Sequence, residues 1–286
     1  MDIRPSSFPP ALDKGAGLAV NARPMSAPYR RNKLRTAWEI SRQIENWPTA
    51  WDLRLRRHHR GLRLLRFRNG LNLVCRGGTR DWDVVHELLF AGSYGRAMTF
   101  LKAQPGQPLV LDLGGNIGLF SLLAAQTHPA AQVHAYEPGP PNFRLFEINR
   151  LANAALGERI HLHREAVADR NATVNWFLDE ENPGGSGLYG QPADAARSFP
   201  VSIRAFSDVV AALPGPVALA KIDIEGAEYD LLRGAPAAAW ERISAIALEL
   251  HDDPARTMSQ AQFLERFRAL GYTIEEESVC SYFLHR

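Results

Sequence analysis

From residue 109 to the C-terminus, short apolar runs alternate with segments whose apolar residues recur at every third or fourth position. The first such pair is the run from Leu109 to Leu113 and the segment from Leu119 to Gln126. Short apolar runs are typical of buried strands, and a three-to-four spacing is typical of helices. The alternation therefore predicts a doubly wound α/β fold, in which helices cover both faces of a mainly parallel sheet.

The same pattern continues along the rest of the chain. Strands are predicted at VHAYEP, IHLHREAVA, VALAKIDIEG and ISAIALELH, and helices at NFRLFEINRLAN, AEYDLLRGA and SQAQFLERFRALG. Ser259 is expected to cap the last helix at its N-terminus, and Gly271 is expected to end it. NATVNWFL is expected to form a hairpin, and YTIEEES and CSYFLHR are expected to pair as a C-terminal antiparallel hairpin.

The chain divides into three segments by composition. Residues 1–28 are rich in Pro, Ala, Gly and Ser and have no periodicity, which predicts a mobile tail. Residues 29–76 are predicted to form a small N-terminal extension that is helical, basic and ends in a hairpin. Residues 77–286 contain the alternating pattern and are assigned to the main domain.

Two local signals describe the extension in more detail. Apolar residues between Tyr29 and about Trp47 predict an amphipathic helix, which Pro48 is expected to end. LRFRNGLNLVCR predicts a hairpin that turns at Asn69 and Gly70, because this pair accepts positive φ at both central positions of a turn.

The composition is that of a globular protein with a sizeable core, since 45% of the 286 residues are hydrophobic and 22% are charged. The two cysteines, Cys75 and Cys280, lack the spacing of a disulfide framework or a zinc cluster. The first residues lack the apolar stretch of a signal peptide, and no later run reaches membrane-spanning length. We therefore expect a cytoplasmic protein without a membrane partner.

The net charge of +2 conceals a basic segment early in the chain. Its basic residues are Arg30, Arg31, Lys33, Arg35, Arg42, Arg54, Arg56, Arg57, Arg60, Arg63, Arg66 and Arg68. Such a segment either contacts nucleic acid or an acidic glycan, or forms a solvated face whose arginine stems lie over the main domain. No RNA-binding motif accompanies it, so we favour the solvated face. The segment could equally be a lid or an interface in a homo-oligomer.

The turn after the first predicted strand reads DLGGNIG and begins at Asp112. Glycine turns between a strand and a helix bring the backbone close to a nucleotide, at the sheet edge where the strand order reverses. This turn is not GxGxxG, and the carboxylate of Asp112 would repel the phosphates of a dinucleotide. It would attract a ligand with positive charge. S-adenosylmethionine, which has an ammonium and a sulfonium but no phosphate, is such a ligand.

Acidic residues also follow the next two predicted strands. Glu137 ends the second strand, and the two oxygens of one carboxylate suit the vicinal hydroxyls of a ribose. Glu165 and Ala166 lie near the end of the third strand, where a carboxylate or a backbone group could meet the adenine amino group. Together these signals indicate a nucleoside-binding edge.

Three stretches carry a resemblance to a known family: LVLDLGGNIGLFSLLAA, AYEPGPPNFRLFEINRLAN and AKIDIEGAEYDLLRGA, the last followed by IALELH. In this order they resemble the FkbM family of S-adenosylmethionine-dependent methyltransferases, over roughly residue 77 to the C-terminus. The resemblance implies a Rossmann-like class I methyltransferase fold, S-adenosylmethionine as methyl donor and S-adenosylhomocysteine as product. FkbM-like proteins are generally O-methyltransferases that act on hydroxyls of polyketides, sugars and related glycoconjugates.

The resemblance also implies which residues bind the donor. They are Asp112, Gly114, Asn116 and Gly118 on the methionine and ribose side, Glu137 and Pro138 at the ribose, and Asn142 at the start of the next helix. Gly115 replaces the alanine of the family's GANxG turn, which is a conservative departure. Upstream, a segment expected to be helical around Val84 to Phe90 resembles one that precedes the family's domain. Its Glu87 and Tyr94 could close over the donor or simply end an amphipathic helix.

Methyl transfer to a hydroxyl needs groups that hold the acceptor and take up its proton. Lys221, Asp223 and Glu225 alternate along the fourth predicted strand, which predicts that they share one face near its carboxyl end. Asp223 is our first candidate for a base or a hydroxyl anchor, and Glu225 is the second. His251 follows the fifth strand beside acidic residues and is the third candidate, because its ordinary pKa lies near neutrality.

Nothing in the spacing of these residues demands a metal ion, and we assign no metal ligand. In principle Asp223 could bind a divalent cation together with His251 or Asp252. His161 and His163 alternate on one predicted strand and are interpreted as residues of its polar face rather than as a metal pair.

The leading interpretation is an O-methyltransferase that acts on a hydroxyl of a small molecule or glycan. Ser186 and Tyr189 lie in a loop after the third strand and could contact this acceptor or face solvent. One alternative is an RNA methyltransferase, against which stands the absence of the motifs for methylating a base amine or a base carbon. The other is a scaffold that binds the donor without catalysis. The fold does not identify the acceptor, because one fold hosts many reactions.

Overall fold

Twelve strands occur among the described residues of the computed structural model, which are 33–55, 60–177, 198–278 and 280–286. In chain order they are β1 (Gly61–Arg66), β2 (Asn72–Gly77), β3 (Leu109–Leu113), β4 (Gln132–Tyr136), β5 (Ile160–His163), β6 (Ala166–Ala168), β7 (Ala172–Phe177), β8 (Ser198–Ala205), β9 (Val217–Ile222), β10 (Ile243–Glu249), β11 (Thr273–Ser278) and β12 (Ser281–His285).

Eleven α-helices connect these strands in the same described ranges. They are α1 (Lys33–Gln43), α2 (Trp47–Leu55), α3 (Asp81–His86), α4 (Gly95–Lys102), α5 (Leu119–Thr127), α6 (Pro140–Ala152), α7 (Ala154–Gly157), α8 (Phe206–Ala212), α9 (Glu228–Gly234), α10 (Ala237–Glu241) and α11 (Gln260–Ala269). A π-helical turn at Glu87–Ala91 follows α3 directly.

Seven strands form the central sheet, in the order β11-β12-β10-β9-β3-β4-β5. Five neighbouring strands of this sheet run parallel, namely β10, β9, β3, β4 and β5. The strand β12 is antiparallel to both β10 and β11. The chain moves outward from β3 through β4 and β5 and then returns to β9 on the other side of β3, so the strand order reverses between β3 and β9. This order confirms the predicted Rossmann-like class I fold with its C-terminal antiparallel hairpin.

The central strands are apolar because both faces of the sheet are covered. All five residues of β3 are buried, with Val110 in one apolar cluster and Leu111 in another. Phe146 of α6 belongs to the first cluster, and Trp240 of α10 belongs to the second. The core therefore lies along the strands, and polar side chains are left for the carboxyl edge of the sheet.

The third predicted strand is in fact two strands in different sheets. β5 ends at His163, whereas β6 pairs in parallel with β8 in a three-stranded sheet of order β6-β8-β7. Arg164 and Glu165 interrupt the apolar pattern at the point where the chain changes sheet. The predicted hairpin at NATVNWFL is also wrong, because β7 is a single strand that pairs antiparallel with β8. The strand β8 itself was not predicted.

The amphipathic helix predicted at the start of the extension is also two elements. α1 ends at Gln43 and α2 begins at Trp47, so Pro48 lies in the first turn of α2 instead of ending a helix. Proline is tolerated in a first turn because the N–H that it lacks would have no partner within the helix. Ile40 and Ile44 of this region are fully buried.

The hairpin predicted around Asn69 and Gly70 is confirmed as β1 and β2, but only one of these two residues has the expected positive φ. Gly70 has a φ of +87°, whereas Asn69 does not adopt a positive φ. The N–H of Gly70 donates to the carbonyl of Phe67 at 2.9 Å, and the N–H of Phe67 donates to the carbonyl of Leu71 at 2.8 Å. A turn followed by a left-handed glycine fits this longer connection between β1 and β2.

The last helix confirms both predicted ends. The hydroxyl of Ser259 accepts the N–H of Gln262, and the side chain of Gln262 accepts the N–H of Ser259 at 2.9 Å, which forms a capping box. Gly271 follows the C-cap residue Leu270 with a φ of +89°.

Asn149 of α6 and Asn153, the residue directly after α6, bind the free edge of β2. The side chain of Asn149 accepts the N–H of Val74 at 2.6 Å and donates to its carbonyl at 3.1 Å, and Asn153 does the same for Asn72. Asn149 also donates to the carbonyl of Ile117 at 2.8 Å, within the turn after β3. The extension is thereby attached both to α6 and to that turn.

Replacing Asn149 with alanine is expected to lower the free energy of unfolding by about 2–4 kcal/mol. The side chain is fully buried, and its loss leaves the N–H and carbonyl of Val74 without these hydrogen bonds. Chemical denaturation of the variant measures the effect. Arg144→Ala on the exposed side of α6 is the control and should stay within about 0.5 kcal/mol of the parent chain. Equal stabilities of the two variants would contradict the prediction.

Several predictions about the N-terminal part and the long loop are not tested. The tail at 1–28, part of the basic segment at 56–59 and the loop with Ser186 and Tyr189 lie outside the described residues. Leu65 of the extension and Val133 of β4 belong to one apolar cluster, and the division of the chain into an extension at 29–76 and a main domain at 77–286 stays a prediction. Among the described residues, no helix has both the length and the apolar character needed to cross a membrane.

Candidate functional site

The candidate site lies where the strand order reverses, at the carboxyl ends of β3 and β9. The last residue of β3, Leu113, pairs with Ile222 at the end of β9, so the segments that follow the two strands are neighbours. In doubly wound sheets ligands bind in the crevice at this point.

The turn after β3 has an unusual backbone, since Gly114, Asn116 and Gly118 all adopt a positive φ. The N–H groups of Gly114 and Gly115 both donate to the carbonyl of Tyr136 at the end of β4, at 3.1 and 2.9 Å. A Cβ atom on Gly114 would overlap the backbone carbonyl oxygen of Asp223. The turn is thus packed tightly between the ends of β4 and β9.

Asp112, in β3 directly before this turn, is completely buried. The hydroxyl of Ser121 donates to its Oδ2 at 2.6 Å, and the ammonium of Lys221 lies 3.9 Å from its Oδ1. Among the described residues, no group donates a hydrogen bond to that Oδ1. Burial raises the pKa of Asp112, and Lys221 and Ser121 oppose this rise. The carboxylate therefore keeps an unused acceptor beneath the turn.

Glu137 links the turn after β3 to the start of α6. Its Oε2 accepts the N–H of Asn116 and its Oε1 accepts the N–H of Gly139, both at 2.8 Å. Burial raises the pKa of Glu137 to about 7, although these two backbone donors lower it. The intervening residue Pro138 is buried as well. The arrangement places a carboxylate at the end of β4, beside the turn.

Asn142, Glu165 and Ala166 lie at the margin of this region. Asn142, in the first turn of α6, accepts a hydrogen bond from the guanidinium of Arg76 at 2.8 Å. Glu165 lies between β5 and β6, and the guanidinium of Arg204 is 3.7 Å from its Oε2. Ala166 begins β6 and is buried. Their roles toward a ligand stay predictions.

Glu87 and Tyr94 extend from the π-helical turn and the start of α4 toward β9 and β10. Tyr94 is buried with a positive φ of 65°, and its hydroxyl donates to Oε2 of Glu249 at 3.4 Å. Burial and the charge of Asp223 raise the pKa of Glu87. The structure thus brings both predicted residues to the candidate site, and closure over a ligand stays a prediction.

A buried ion pair connects the turn after β3 to the end of β9. The ammonium of Lys221 donates to the carbonyl of Gly114 at 2.7 Å and lies 3.0 Å from Oδ2 of Asp223. The charges of Asp223 and Asp112 raise the pKa of Lys221 against the effect of burial, so the side chain is charged. Lys221 holds the backbone of one loop and the carboxylate of the next.

Glu225 departs from the predicted strand geometry. β9 ends at Ile222, and Glu225 has a left-handed φ of 56°, so it does not continue the alternation of Lys221 and Asp223. Its Oε2 lies 3.5 Å from Nε2 of His251. Burial raises the pKa of Glu225 to about 7. Glu225 therefore reaches the site from a turn, beside His251.

His251 is held by Glu228, a residue without a predicted role. The side chain of Glu228 is completely buried, accepts the N–H groups of Ile224 and Gly226 at 2.9 Å, and lies 3.1 Å from Nδ1 of His251. Burial alone would lower the pKa of His251, but the hydrogen bond to Glu228 and the surrounding carboxylates raise it to about 10. Glu228 thus ties the loop after β9 to the loop after β10.

One group of three potential ligand atoms occurs among the described residues, from Asp223, Glu249 and His251, all within 4.8 Å of one another. Lys221 already places a positive charge 3.0 Å from Asp223, and Glu228 occupies one ring nitrogen of His251. We therefore assign no metal ligand here. His161 stacks on His134, with ring centroids 4.7 Å apart, and belongs to the polar side of the sheet.

Sequence reasoning assigned no role to Lys221, Glu228 or Glu249. The available signal was weak, because each residue is only one charged position in or just after a predicted strand. Their contacts depend on the register between neighbouring strands, which the sequence pattern does not specify.

Comparisons with known proteins identify the family to which the chain belongs. The methyltransferase FkbM domain matches residues 112–274 of the chain. Methyltransferase 1 of Beauveria bassiana is 27% identical over 180 residues, which cover 56% of this chain and 72% of that protein. The 31-O-demethyl-FK506 methyltransferase FkbM of Streptomyces tacrolimicus is 27% identical over 206 residues, which cover 62% of this chain and 76% of that protein.

Among solved structures, the methyltransferase FkbM from Methylobacillus flagellatus KT aligns with a TM-score of 0.43 and 15% identity. The alignment covers 64% of this chain and 45% of that one, so this chain matches less than half the length of that protein. The match of the family's domain, by contrast, extends over more than half of the 286 residues. The chain belongs to the FkbM family of S-adenosylmethionine-dependent methyltransferases.

Proposed function

We propose that the chain is an O-methyltransferase that transfers the methyl group of S-adenosylmethionine to a hydroxyl of a small molecule or glycan. The observation that carries this proposal is the gathering of Asp223, Glu225 and His251 directly beside the turn after β3. A hydroxyl must lose its proton when it is methylated, and the side chains gathered at this edge can hold the hydroxyl, while a carboxylate among them can accept that proton. The relative from Streptomyces tacrolimicus, whose name states an O-methylation, supports this choice.

The residues around the turn fit the methyl donor. Asp112 offers a buried carboxylate with an unused acceptor atom, and Glu137 offers a carboxylate at the end of the next strand. The left-handed glycines Gly114 and Gly118 let the turn pack closely against Asp223 and Phe146, because a Cβ atom on either glycine would overlap these residues. When bound, the donor supplies an electrophilic methyl group on a positively charged sulfur. The protein's part is to bind it, to orient the acceptor and to handle the proton.

The alternative of an RNA substrate is not favoured by the arginines of the extension. Arg63 pairs with Asp52 at 3.0 Å, and Arg42 and Arg54 lie over tryptophan rings. These contacts engage the arginines with other residues of the extension rather than leaving them free for phosphates. We include a cytoplasmic location in the proposal, which the two unpaired cysteines support. Association into a homo-oligomer remains an open part of it.

Glu137→Ala is expected to weaken S-adenosylmethionine binding about 10- to 100-fold. A carboxylate that accepts hydrogen bonds from ribose hydroxyls contributes about 1.5–3 kcal/mol, which corresponds to this factor. Calorimetric titration with S-adenosylmethionine, S-adenosylhomocysteine and NAD measures the effect, and Asp112→Ala should behave in the same direction. Glu158→Ala, an exposed substitution after α7, is the matched control and should bind as the parent chain does.

Ligand binding, methyl transfer and association with RNA together distinguish the competing functions. Binding of the first two ligands but not of NAD, followed by labelled-methyl transfer to hydroxylated sugars or polyketides, would support the proposal. Donor binding without turnover on any acceptor would favour the scaffold, and salt-sensitive association with RNA would favour an RNA methyltransferase. A folded chain that binds neither S-adenosylmethionine nor its product would contradict the proposal.

A further inference from the structure

Glu249 is the last residue of β10 and lies next to Asp223 across the sheet. Leu248 of β10 pairs with Ile222 of β9, so the residues that follow them, Glu249 and Asp223, end neighbouring strands side by side. Atoms of Glu249, Asp223 and His251 lie within 4.8 Å of one another. Glu249 therefore belongs to the same carboxyl edge as the turn after β3.

The neighbours of Glu249 differ from those of the other acidic and basic side chains at this edge. Asp223 has the ammonium of Lys221 at 3.0 Å, and His251 has the carboxylate of Glu228 at 3.1 Å. Glu249 instead accepts a hydrogen bond from the hydroxyl of Tyr94, over a distance of 3.4 Å. Its carboxylate is thus bound by a neutral donor, and no described salt bridge neutralises it.

The groups that face Glu249 come from three parts of the chain. They are Asp223 and Lys221 at the end of β9, Glu87 and Tyr94 on the π-helical turn and α4, and His251 after β10. The charge of Asp223, then burial and Glu87, raise the pKa of Glu249 to about 8, whereas His251 and Lys221 lower it. A carboxylate with a pKa near 8 is a stronger base than an ordinary glutamate, and a sulfonium bound beside it would favour its deprotonated form.

His251 is less suited to the same task. With its pKa raised to about 10, the imidazole already carries a proton on each nitrogen near neutral pH and cannot accept another. Its Nδ1 faces Glu228, and its Nε2–H, which lies 3.5 Å from Glu225, can donate to that carboxylate or to an acceptor oxygen nearby. Asp223 is held by Lys221 in an ion pair that suits the binding of a hydroxyl.

We propose that Glu249 is the catalytic base, which accepts the proton of the acceptor hydroxyl, while Asp223 and His251 hold that hydroxyl in place. This inference rests on the proposed O-methyltransferase function. The acceptor oxygen forms the new C–O bond as the C–S bond of the donor breaks, the electron pair of that bond stays on sulfur, and the hydroxyl proton moves to the Glu249 carboxylate. The sulfonium loses its positive charge as it becomes a thioether, and Glu249 loses its negative charge as it is protonated. The total charge is therefore unchanged.

Proton release on donor binding tests this placement without knowledge of the acceptor. At pH 8, Glu249 is about half protonated, so a sulfonium that binds beside it should release about half a proton per molecule of S-adenosylmethionine. S-adenosylhomocysteine has the same amino acid and nucleoside groups but no sulfonium, and should release clearly less. Calorimetric titrations of both ligands in buffers of different ionisation enthalpy measure this difference.

In Glu249→Gln the difference between the two ligands should disappear while S-adenosylmethionine still binds. Glu225→Gln removes another carboxylate of the same edge. The pKa of Glu225 is about 7, below that of Glu249, so Glu225 holds few protons at pH 8 and this variant should retain most of the proton release. Glu241→Gln, at the exposed end of α10, is the control outside the site. For an acceptor that the parent chain methylates, Glu249→Gln should also lower kcat about 100-fold or more, beyond the several-fold weaker S-adenosylmethionine binding that follows from loss of a carboxylate beside the sulfonium.

The outcomes distinguish this inference from the function on which it rests. If S-adenosylmethionine binds and Glu249→Gln releases as many protons as the parent chain, Glu249 does not face the sulfonium and the inference is overturned. If the folded parent chain does not bind S-adenosylmethionine, the proposed function fails and the inference fails with it. Loss of the release in Glu249→Gln but not in Glu225→Gln supports Glu249 as the base.

Discussion

Replacing Gly114 with alanine should abolish binding of S-adenosylmethionine and lower the free energy of unfolding by about 3–5 kcal/mol. Gly114 has a φ of +81°, which an L-residue adopts only with strain. Its added Cβ would also overlap the carbonyl oxygen of Asp223, and this is backbone that no side-chain rotation can move away. The turn after β3 and the end of β9 would therefore have to separate, which displaces the site from both sides.

A second glycine separates the strain of the backbone angle from the overlap. Gly70 in the hairpin turn has a φ of +87°, and a Cβ there would have no atom within 4 Å. Gly70→Ala should therefore cost about 1–2 kcal/mol and leave donor binding unchanged. Denaturant unfolding and calorimetric titration of both variants measure the two effects. If Gly114→Ala binds S-adenosylmethionine as the parent chain does, the turn does not form the donor site that we propose.

The central part of the fold follows from the sequence because its strands are buried on both faces. The run from Leu109 to Leu113 is a strand with the predicted boundaries, and the glycine turn and the helix from Leu119 follow as expected. Burial on both faces produces a continuous apolar run that is easily recognised. The prediction is less successful at β5 to β8, where the chain changes sheet and residues far apart in the chain pair with one another.

The candidate site shows a similar division. The motif indicated Asp112, Glu137 and Asp223, because each comes at a recognisable place in a strand or just after one. The partners of these residues could not be predicted, since they depend on which strands are neighbours and in what register. Glu249 and Asp223 lie together only because β10 pairs with β9. The left-handed backbone at Glu225 also breaks the alternation on which the prediction for that residue relied.

Two buried charged side chains hold together the loops at the carboxyl edge of the sheet. Lys221 binds the carbonyl of Gly114 and the carboxylate of Asp223, and Glu228 binds the backbone after β9 and the ring of His251. Both connecting side chains are buried, so their interactions are little screened by solvent. Loss of either one would affect more than a single loop.

Replacing Lys221 with methionine should lower the free energy of unfolding by about 3–5 kcal/mol near neutral pH. The variant leaves the completely buried carboxylate of Asp112 without its cationic neighbour, and an uncompensated buried charge costs this much. Methionine has a similar length, so the loss of charge rather than the loss of volume dominates. Donor affinity should fall as well, because the carbonyl of Gly114 loses the ammonium that holds it.

The pH dependence of this loss identifies its cause. Without Lys221, the pKa of Asp112 should rise further above its ordinary value of about 3.9, so the folded state binds a proton that the unfolded state releases. Stability of the variant should therefore increase as the pH falls from 7 toward 5, and the gap to the parent chain should narrow. Denaturant unfolding of Lys221→Met at both pH values, with the exposed Lys102→Met as control, measures this change. If the difference in free energy of unfolding between the variant and the parent chain is the same at both pH values, the buried charge of Asp112 does not cause the loss of stability.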